Sequence, residues 1–466
     1  MSELPPGIEP AEVPEPRESA CGIVCRRDGD RFRVLVGQRS RQSRFMPGHI
    51  AFPGGGLDAA DGPGRPGAFA RCVSREVREE TGIDVAPGDW LPAGVRVTPP
   101  MFPVRFRTEF FVAPMPDGAA DDPAPATPEN ERLSVVPAQR VLDDWSRGAC
   151  RVPPPVLPIL RTLASARASI EDAAEAVAAA NLEEERAPRI EFVRDVWMLP
   201  VRTRTLPPAT HTNVWIPGGK RFVVVDPGSE DPEEVERLLA VVERRRALGQ
   251  RPVAVVLTHH HQDHVCGASA VAHALGVPLR AHPATLAAVA SDARAEPLRE
   301  GDEIDLDGMT LRPLETPGHA AGHLALHVPE ADVVIAGDLV SGLSTILIDP
   351  DTGDMEAYLA SLERMRSVPC RLVLPGHGPP LPPAAFGKVI EHRAQRESRI
   401  IERLAGGEAT LSEIARSAYD SAPRLPLVLT ERQTLAHLVR LERRGGVRRS
   451  DDAGGRWRRA ASAGGG

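Results

Sequence analysis

The sequence predicts an α/β protein of several domains, and three observations carry that prediction. The chain has 466 residues, more than one ordinary hydrophobic core organises, which points to roughly two to four domains. Short β-branched apolar runs alternate with longer helical patterns along its length. The residues with most chemistry stand on one helix face or just beyond the ends of apolar runs, where α/β proteins build their sites.

Composition narrows the function classes. The 47 prolines and 41 glycines imply many turns. A net charge of −8 argues against non-specific polyanion binding by the whole molecule, while leaving a local basic patch open. At 4% aromatic content there is no bulk stacking surface for single-stranded nucleic acid. Cys21, Cys25, Cys72, Cys150, Cys266 and Cys370 show no CxxC spacing and read as reduced thiols of a cytoplasmic protein. The start, Met1-Ser2-Glu3-Leu4-Pro5-Pro6, has neither a basic nor an apolar region and does not read as a signal peptide. No run of about 18 apolar residues exists, so no membrane span is expected.

Residues 1–18 are Pro/Glu-rich and read as a disordered tail. A first domain is expected over 19–168. Residues 20–25 and 32–37 read as strands around a turn at 27–30. Further on, Glu76, Glu79 and Glu80 are spaced so that their carboxylates share one helix face. Such a face repels itself unless cations neutralise it. Oxygen-only ligands suit magnesium or manganese, which in turn grip a diphosphate.

These residues resemble the Nudix family. Arg75-Glu76-x-x-Glu79-Glu80-x-Gly82 is similar to the second half of the Nudix box, and Phe52-Pro53-Gly54-Gly55 to its entry loop. One departure stands out: the loop before Arg75 is longer than usual, and Gly67 replaces the glutamate expected eight residues earlier. Arg39-Ser40, Arg44-Phe45-Met46-Pro47-Gly48 and the stretch from Thr98-Pro99-Pro100 to Phe111 look like coenzyme A diphosphatases. The resemblance implies an α/β/α sandwich in which Glu76, Glu79 and Glu80 are the catalytic metal ligands. It also implies Mg or Mn as cofactor and a small-molecule diphosphate substrate, with Arg75 holding the loop rather than touching substrate.

Residues 169–188 are Ala/Glu-rich with few large apolar side chains, and read as a helical linker or a lid. A second domain is expected over 189–385. Its apolar run at 251–257 reads as a buried strand and delivers His259, His261, Asp263 and His264. His259 and His261 can share one metal, and Asp263 and His264 can hold another. Imidazole with carboxylate suits zinc, iron or manganese. A polar turn with solvated histidines would explain this cluster alone, but the pattern repeats. His319 follows Thr316-Pro317-Gly318, Asp338 follows the run 332–337, and His377 follows the run 371–374 and Pro375-Gly376.

The stretch from about 195 to 385 resembles the metallo-β-lactamase superfamily, with His259-x-His261-x-Asp263-His264, His319, Asp338 and His377 in the family's order. The resemblance implies an αββα sandwich holding two Zn (or Fe or Mn). His259, His261 and His319 would hold one ion, Asp263, His264 and His377 the other, with Asp338 bridging and Asp226 steadying the site. It also implies a hydroxide between the ions as nucleophile, with Asp263 taking part in proton handling. His323 is left structural or substrate-facing, and His260 outward-facing.

Residues 386–450 read as three helices and the start of a ribbon, the order of a winged helix. Glu391-His392-Arg393-x-x-Arg396-Glu397 looks like endoribonuclease-related β-lactamase-like proteins, which carry such a module. Arg448, Arg449, Arg456, Arg458 and Arg459 add local positive charge, fitting either RNA contact or a packing and dimerisation module. Residues 451–466 are expected to be disordered. The sequence carries no signal of oligomeric state.

The combined expectation is a bifunctional metal-dependent hydrolase, a Nudix diphosphatase joined to a metallo-β-lactamase-fold hydrolase. An RNA phosphodiester is the first candidate substrate of the second half and a thioester of the glyoxalase II kind the next. A β-lactamase ranks last, because that activity goes with export. The non-enzymatic alternative is a nucleic-acid-binding or scaffold protein with relic metal sites.

Overall fold

The structure, a computed structural model, describes residues 8–29, 31–43, 46–62, 67–166, 169–289, 291–421, 425–450 and 455–460. Arg44 and Phe45 of the flanking motif lie outside them, as does Asp30 of the first turn. The chain forms two compact units. The first comprises residues 13–199 and 236–247, the second residues 200–235 and 248–466 with the segment up to Glu12.

The first unit begins with β1 (Arg17–Asp28), β2 (Arg31–Arg39), β3 (Ile50–Ala51), β4 (Gly54–Gly56) and α1 (Gly67–Thr81). Then come β5 (Leu91–Val97), β6 (Phe106–Pro114), β7 (Asn130–Pro137), α2 (Ala138–Ser146), α3 (Val156–Ser165), α4 (Ile170–Arg186), β8 (Ile190–Val193) and β9 (Val196–Arg202), whose residues 200–202 belong to the second unit. Its main sheet runs β3–β2–β1–β6–β5, with β4 beside β1 and β7 beside β2. Strand alternation sorts the side chains onto two faces. Ile23, Cys25, Val34, Val36 and Val112 cluster with Trp145, Leu157, Leu160 and Leu163 of α2 and α3. Ala20, Val24, Leu35 and Phe111 cluster with Phe69, Cys72, Val73 and Val77 of α1. Helices thus cover both faces of the sheet.

Two boundaries differ from the sequence expectation. Residues 170–186 are not a linker. Ala173, Ala174 and Val177 of α4 are buried in the same core as α2 and α3, and Asn181 Nδ2 donates to the Ala93 carbonyl of β5 at 2.8 Å. The small side chains that read as linker composition are what let the helix lie close on β5. The unit also runs past residue 188 to Leu199. There the fully buried Glu191 accepts hydrogen bonds from Arg161 Nη2 at 2.5 Å and Arg189 Nε at 2.8 Å.

In the second unit β10 (His211–Pro217) and β11 (Arg221–Val225) precede α5 (Pro232–Ala247), whose residues 236–247 belong to the first unit. There follow β12 (Arg251–Val256), α6 (Gln262–Val265), α7 (Ala268–Leu275), β13 (Leu279–Ala281), α8 (Pro283–Ala288) and β14 (Ala295–Pro297). These strands lie in the order β14–β13–β12–β11–β10, with β11 to β14 parallel. A second sheet has the order of its sequence: β15 (Ile304–Asp305), β16 (Thr310–Glu315), β17 (Leu324–Val328), β18 (Val333–Gly337) and, after α9 (Met355–Met365), β19 (Leu372–Pro375). Because β17 is antiparallel to both β16 and β18, and β19 is parallel to β18, strands β16, β18 and β19 point the same way.

The remainder is α10 (Ala385–Ala405), α11 (Leu411–Ala418), α12 (Leu427–Arg443) and a ribbon of β20 (Val447–Arg449) and β21 (Trp457–Arg459). Phe386 and Ala436 bring α10 and α12 into the core of the second sheet, against Tyr358 and Leu362 of α9. The tail expected after residue 450 is ordered in part: Trp457 is buried with Ile400, Ile414 and Leu438 and exchanges backbone hydrogen bonds with Ala409. No described helix is long and apolar enough to cross a membrane.

Candidate metal centres

The parallel register Val225↔Val256 places Asp226 and Leu257 side by side at the ends of β11 and β12. Thr258 follows, and its amide and hydroxyl donate to the two Asp226 carboxylate oxygens at 2.8 and 2.6 Å. With its only proton committed, that hydroxyl accepts from His259 Nδ1 at 2.9 Å, which turns Nε2 of His259 inward. The pattern recurs around the site. His264 Nδ1 donates to Asp226 Oδ2 at 2.9 Å, His319 Nδ1 to the Leu347 carbonyl at 3.0 Å and His377 Nδ1 to the His211 carbonyl at 2.9 Å. Each outer nitrogen is occupied, so each inner lone pair is aimed.

The inner atoms converge. Three sets have ligand atoms within 4.8 Å of one another: His259, His261 and His319; Asp263, His264 and His377; and His259, His264 and Asp338. Asp338 lies between them, Oδ2 3.6 Å from His319 Nε2 and Oδ1 3.4 and 3.5 Å from Nε2 of His264 and His377. Asp263 Oδ2 is 3.3 Å from His377 Nε2. Gly376 allows this packing, since a Cβ there would stand 2.7 Å from both Asp338 Oδ1 and His264 Cε1. His323 has no inner nitrogen to offer: Nε2 accepts from the Asp338 amide at 3.2 Å and Nδ1 meets Thr316 Oγ1 at 2.8 Å. It supports Asp338. His260 is half-buried beside His261.

The chemistry of this donor set fits divalent cations. Among the described residues His319 Nε2 is buried with no hydrogen-bond partner, a costly state unless a cation faces it. Burial, with the neighbouring histidines, drives His259 and His319 well below the usual imidazole range, leaving the neutral form that binds metal. Burial alone would lower His264 and His377 too. Asp338, Asp263 and, for His264, Asp226 overcome it, raising His264 well above its usual value and His377 to about 10. The rise answers the same concentrated negative charge that would attract a cation.

The acidic helix face is arranged more loosely. Arg75 donates to Glu76 at 2.7 Å and Glu79 at 3.3 Å. Glu80 is buried, accepting from the Gly54 amide at 3.1 Å and Asn130 Nδ2 at 2.7 Å. Among the described residues, the oxygens of Glu76, Glu79 and Glu80 do not converge within 4.8 Å as the histidine sets do. Burial pushes Glu80 up to about 7 against its two hydrogen bonds, with Glu129 and Glu76 adding to the rise. Glu76 is raised likewise, by burial and then by Glu79 and Glu129 against Arg75. Glu129, which the sequence reading passed over, thus adds negative charge to this face. Gly55 brings the loop onto it, as a Cβ there would stand 2.4 Å from Glu76 Oε1.

The structure also answers the missing glutamate at Gly67. Arg75 Nε and Nη2 each lie 3.0 Å from an oxygen of Asp61, a buried carboxylate. Asp61 closes a capping box with Asp58, and Arg75 Nη2 donates also to the Gly56 carbonyl at 3.2 Å. The sequence cue was the Asp58-x-x-Asp61 spacing, a cap signature inside a loop read only for its length.

Residues 15–150 match the NUDIX domain family model and residues 207–377 the model of the metallo-beta-lactamase superfamily. The chain joins a Nudix domain to a metallo-β-lactamase domain. Both families are hydrolases, so the chain is a hydrolase of two domains. The beta-lactamase-like protein 2 homolog of Drosophila melanogaster is 26% identical over 262 residues, covering 52% of this chain and 86% of that protein. The atrochrysone carboxyl ACP thioesterase of Aspergillus chevalieri is 27% identical over 227 residues, 46% of this chain and 69% of its own. A solved beta-lactamase domain protein from Burkholderia ambifaria has a TM-score of 0.53 at 22% identity, covering 58% of this chain and 93% of its own, a likeness of fold.

Proposed function

We propose that the metallo-β-lactamase domain is a binuclear hydrolase of thioesters, and that the Nudix domain cleaves a nucleoside diphosphate derivative such as coenzyme A. The observation that carries the binuclear reading is Asp338, whose two oxygens face different ligand sets at 3.4–3.6 Å. In this reading His259, His261 and His319 hold one cation, Asp263, His264 and His377 the other, and Asp338 both. Zinc, iron or manganese held there would lower the pKa of a bound water and stabilise oxyanion charge. Asp226 orients His264 directly and His259 through Thr258. Asp263, with a side chain 15% exposed, is placed to take a proton from the incoming water. In the Nudix domain Glu76, Glu79 and Glu80 would hold magnesium or manganese, with Arg75 keeping the loop against them.

Thioester is favoured over RNA by where the arginines go. Arg393 and Arg396 are buried. Arg399 meets Asp420, Arg403 and Arg456 face Glu413, and Arg458 faces Glu408. Arg449 lies over the Trp457 ring. A surface that neutralises phosphates keeps such charges outward and unspent. A relative named as a thioesterase supports the same reading.

The test is a substrate panel with metal analysis on the full chain. Two transition-metal ions per chain are expected, with hydrolysis of an acyl-coenzyme A that Asp338→Asn nearly abolishes while circular dichroism stays unchanged. Replacing Arg448 and Arg449 with Ala should leave that rate unaltered. Chelator-sensitive RNA cleavage that is lost in His259→Ala and in the double arginine variant would replace the thioester reading with a phosphodiester one. Absence of zinc, iron and manganese from freshly purified protein would end the binuclear reading.

A further inference from the structure

We infer that the C-terminal helices are a working part of the metal centre, with Gln433 and Arg393 as positioning residues that hold His319 through the backbone of residues 346–348. This rests on the binuclear reading above. The carbonyl that fixes His319 belongs to Leu347, in a stretch, 345–349, with no regular secondary structure. Nothing in a strand or helix ladder therefore sets where that carbonyl points. Its two neighbours are set from outside. Arg393 Nη2 of α10 donates to the Ile346 carbonyl, and Gln433 Oε1 of α12 accepts from the Ile348 amide at 3.1 Å. Arg432 of α12 adds a forked grip on the Asp349 carboxylate at 2.8 and 2.6 Å and reaches Asp351 at 2.6 Å. The segment carrying Leu347 is thus tied on both sides to helices that follow the last expected ligand in the chain.

The cost of this arrangement points to function. Arg393 is fully buried. Among the described residues its Nε and Nη1 have no hydrogen-bond partner, and the guanidinium lies 5.5 Å from the Tyr358 ring centroid. Packing alone would be served by an apolar side chain, because a buried and poorly paired cation is unfavourable. What an apolar side chain cannot do is donate to the Ile346 carbonyl. Gln433, 5% exposed, likewise leaves Nε2 without a partner among the described residues and spends Oε1 on the strap. With the strap held, Leu347 keeps the Nδ1 proton of His319, and Nε2 of that ring, buried and without a hydrogen-bond partner among the described residues, faces the site. If the strap is released, His319 loses its orientation, while His264 and His377 keep theirs from Asp226 and the His211 carbonyl.

The experiment uses the full chain, stripped of metal and titrated with cobalt(II), whose visible spectrum and bound stoichiometry report each ion. Outer partners of metal-bound histidines are worth roughly 10–100-fold in metal affinity. Gln433→Leu should weaken the ion held by His259, His261 and His319 about tenfold and leave the other ion's affinity unchanged. Gln433→Glu, which keeps the acceptor, should recover most of the loss, and Arg393→Lys should lose less than Arg393→Met. Amide exchange at residues 347–349, measured without metal, should speed up in Gln433→Leu and Arg393→Met. Should Arg393→Met fail to fold, the Gln433 pair decides alone. Equal weakening of both ions, or no change in either with the strap exchanging as in the parent, overturns the inference. A parent chain that binds fewer than two ions, while the strap still loosens in the variants, faults the binuclear reading and leaves the mechanical link standing.

Discussion

Replacing Asp61 with Ala should loosen the Nudix helix more than any substitution on its exposed face. Asp61 and Arg75 have side chains 3% and 21% exposed, and the pair makes two hydrogen bonds of 3.0 Å. Breaking a buried ion pair by removing one partner costs about 3–5 kcal/mol. Here Arg75 keeps some water and still has Glu76, Glu79 and the Gly56 carbonyl, which puts the loss near the lower end, about 3 kcal/mol. Asp61→Asn, which keeps an acceptor for Arg75 but not the charge, should cost about half of that. The assay is hydrogen exchange of the α1 amides by mass spectrometry, which reads this unit apart from the other. About 3 kcal/mol appears as an opening equilibrium roughly 100-fold larger. A released Arg75 would also turn to Glu76 and Glu79, so magnesium binding should weaken in parallel. The effect should depend on acid. Burial alone would raise Asp61, but Arg75 and the Asp58 amide hold it below the usual carboxylate range. The stabilisation is therefore present at neutral pH and lost as pH falls through that depressed value. Exchange in Asp61→Ala within about threefold of the parent, below roughly 0.7 kcal/mol, would show that Asp61 does not anchor Arg75.

Two further outcomes are expected. Burial holds Glu80 up at about 7, so the folded unit binds a proton that the unfolded chain releases near the ordinary glutamate value of about 4.3. That contribution is complete below the unfolded value and is lost as pH rises through about 7. Without metal the Nudix unit should lose about 4 kcal/mol across that window, and Glu80→Gln should flatten the slope; a parent with a flat profile between pH 4 and 7 would contradict it. A fragment ending at Leu199 should also exchange more slowly in α3 and α4 than one ending at Arg186. The shorter piece strands Arg161 without Glu191, and equal exchange in both would place the boundary back near residue 188.

How much was legible depends on how local each signal is. His259, His261, Asp263 and His264 could be read together because one strand end delivers all of them. His319, Asp338 and His377 could be read because each follows its own apolar run. The strand faces of the first unit were legible for the same reason, as alternation in residues 20–25 and 32–37 already separates the two cores. Asp61 was not, since its partner lies fourteen residues away across a loop of unusual length. Helix α4 was legible as a helix but not as core, because alanine is equally at home in a linker and in a close helix–strand contact. Trp457 was lost in a glycine- and arginine-rich tail whose sequence shows no partner for it.

By itself, then, the sequence determined the fold class, the two family resemblances and the order of the candidate metal ligands, because periodicity and short spacings are properties of neighbours along the chain. Only the tertiary structure decided which atom of each residue faces the centre. Those choices depend on groups with no side-chain signature, such as the carbonyls of Leu347 and His211 and the amide of Asp338. It decided likewise that Arg393 and Arg396 turn inward, since a helical spacing of arginines reads the same whether the face meets water or a loop carbonyl.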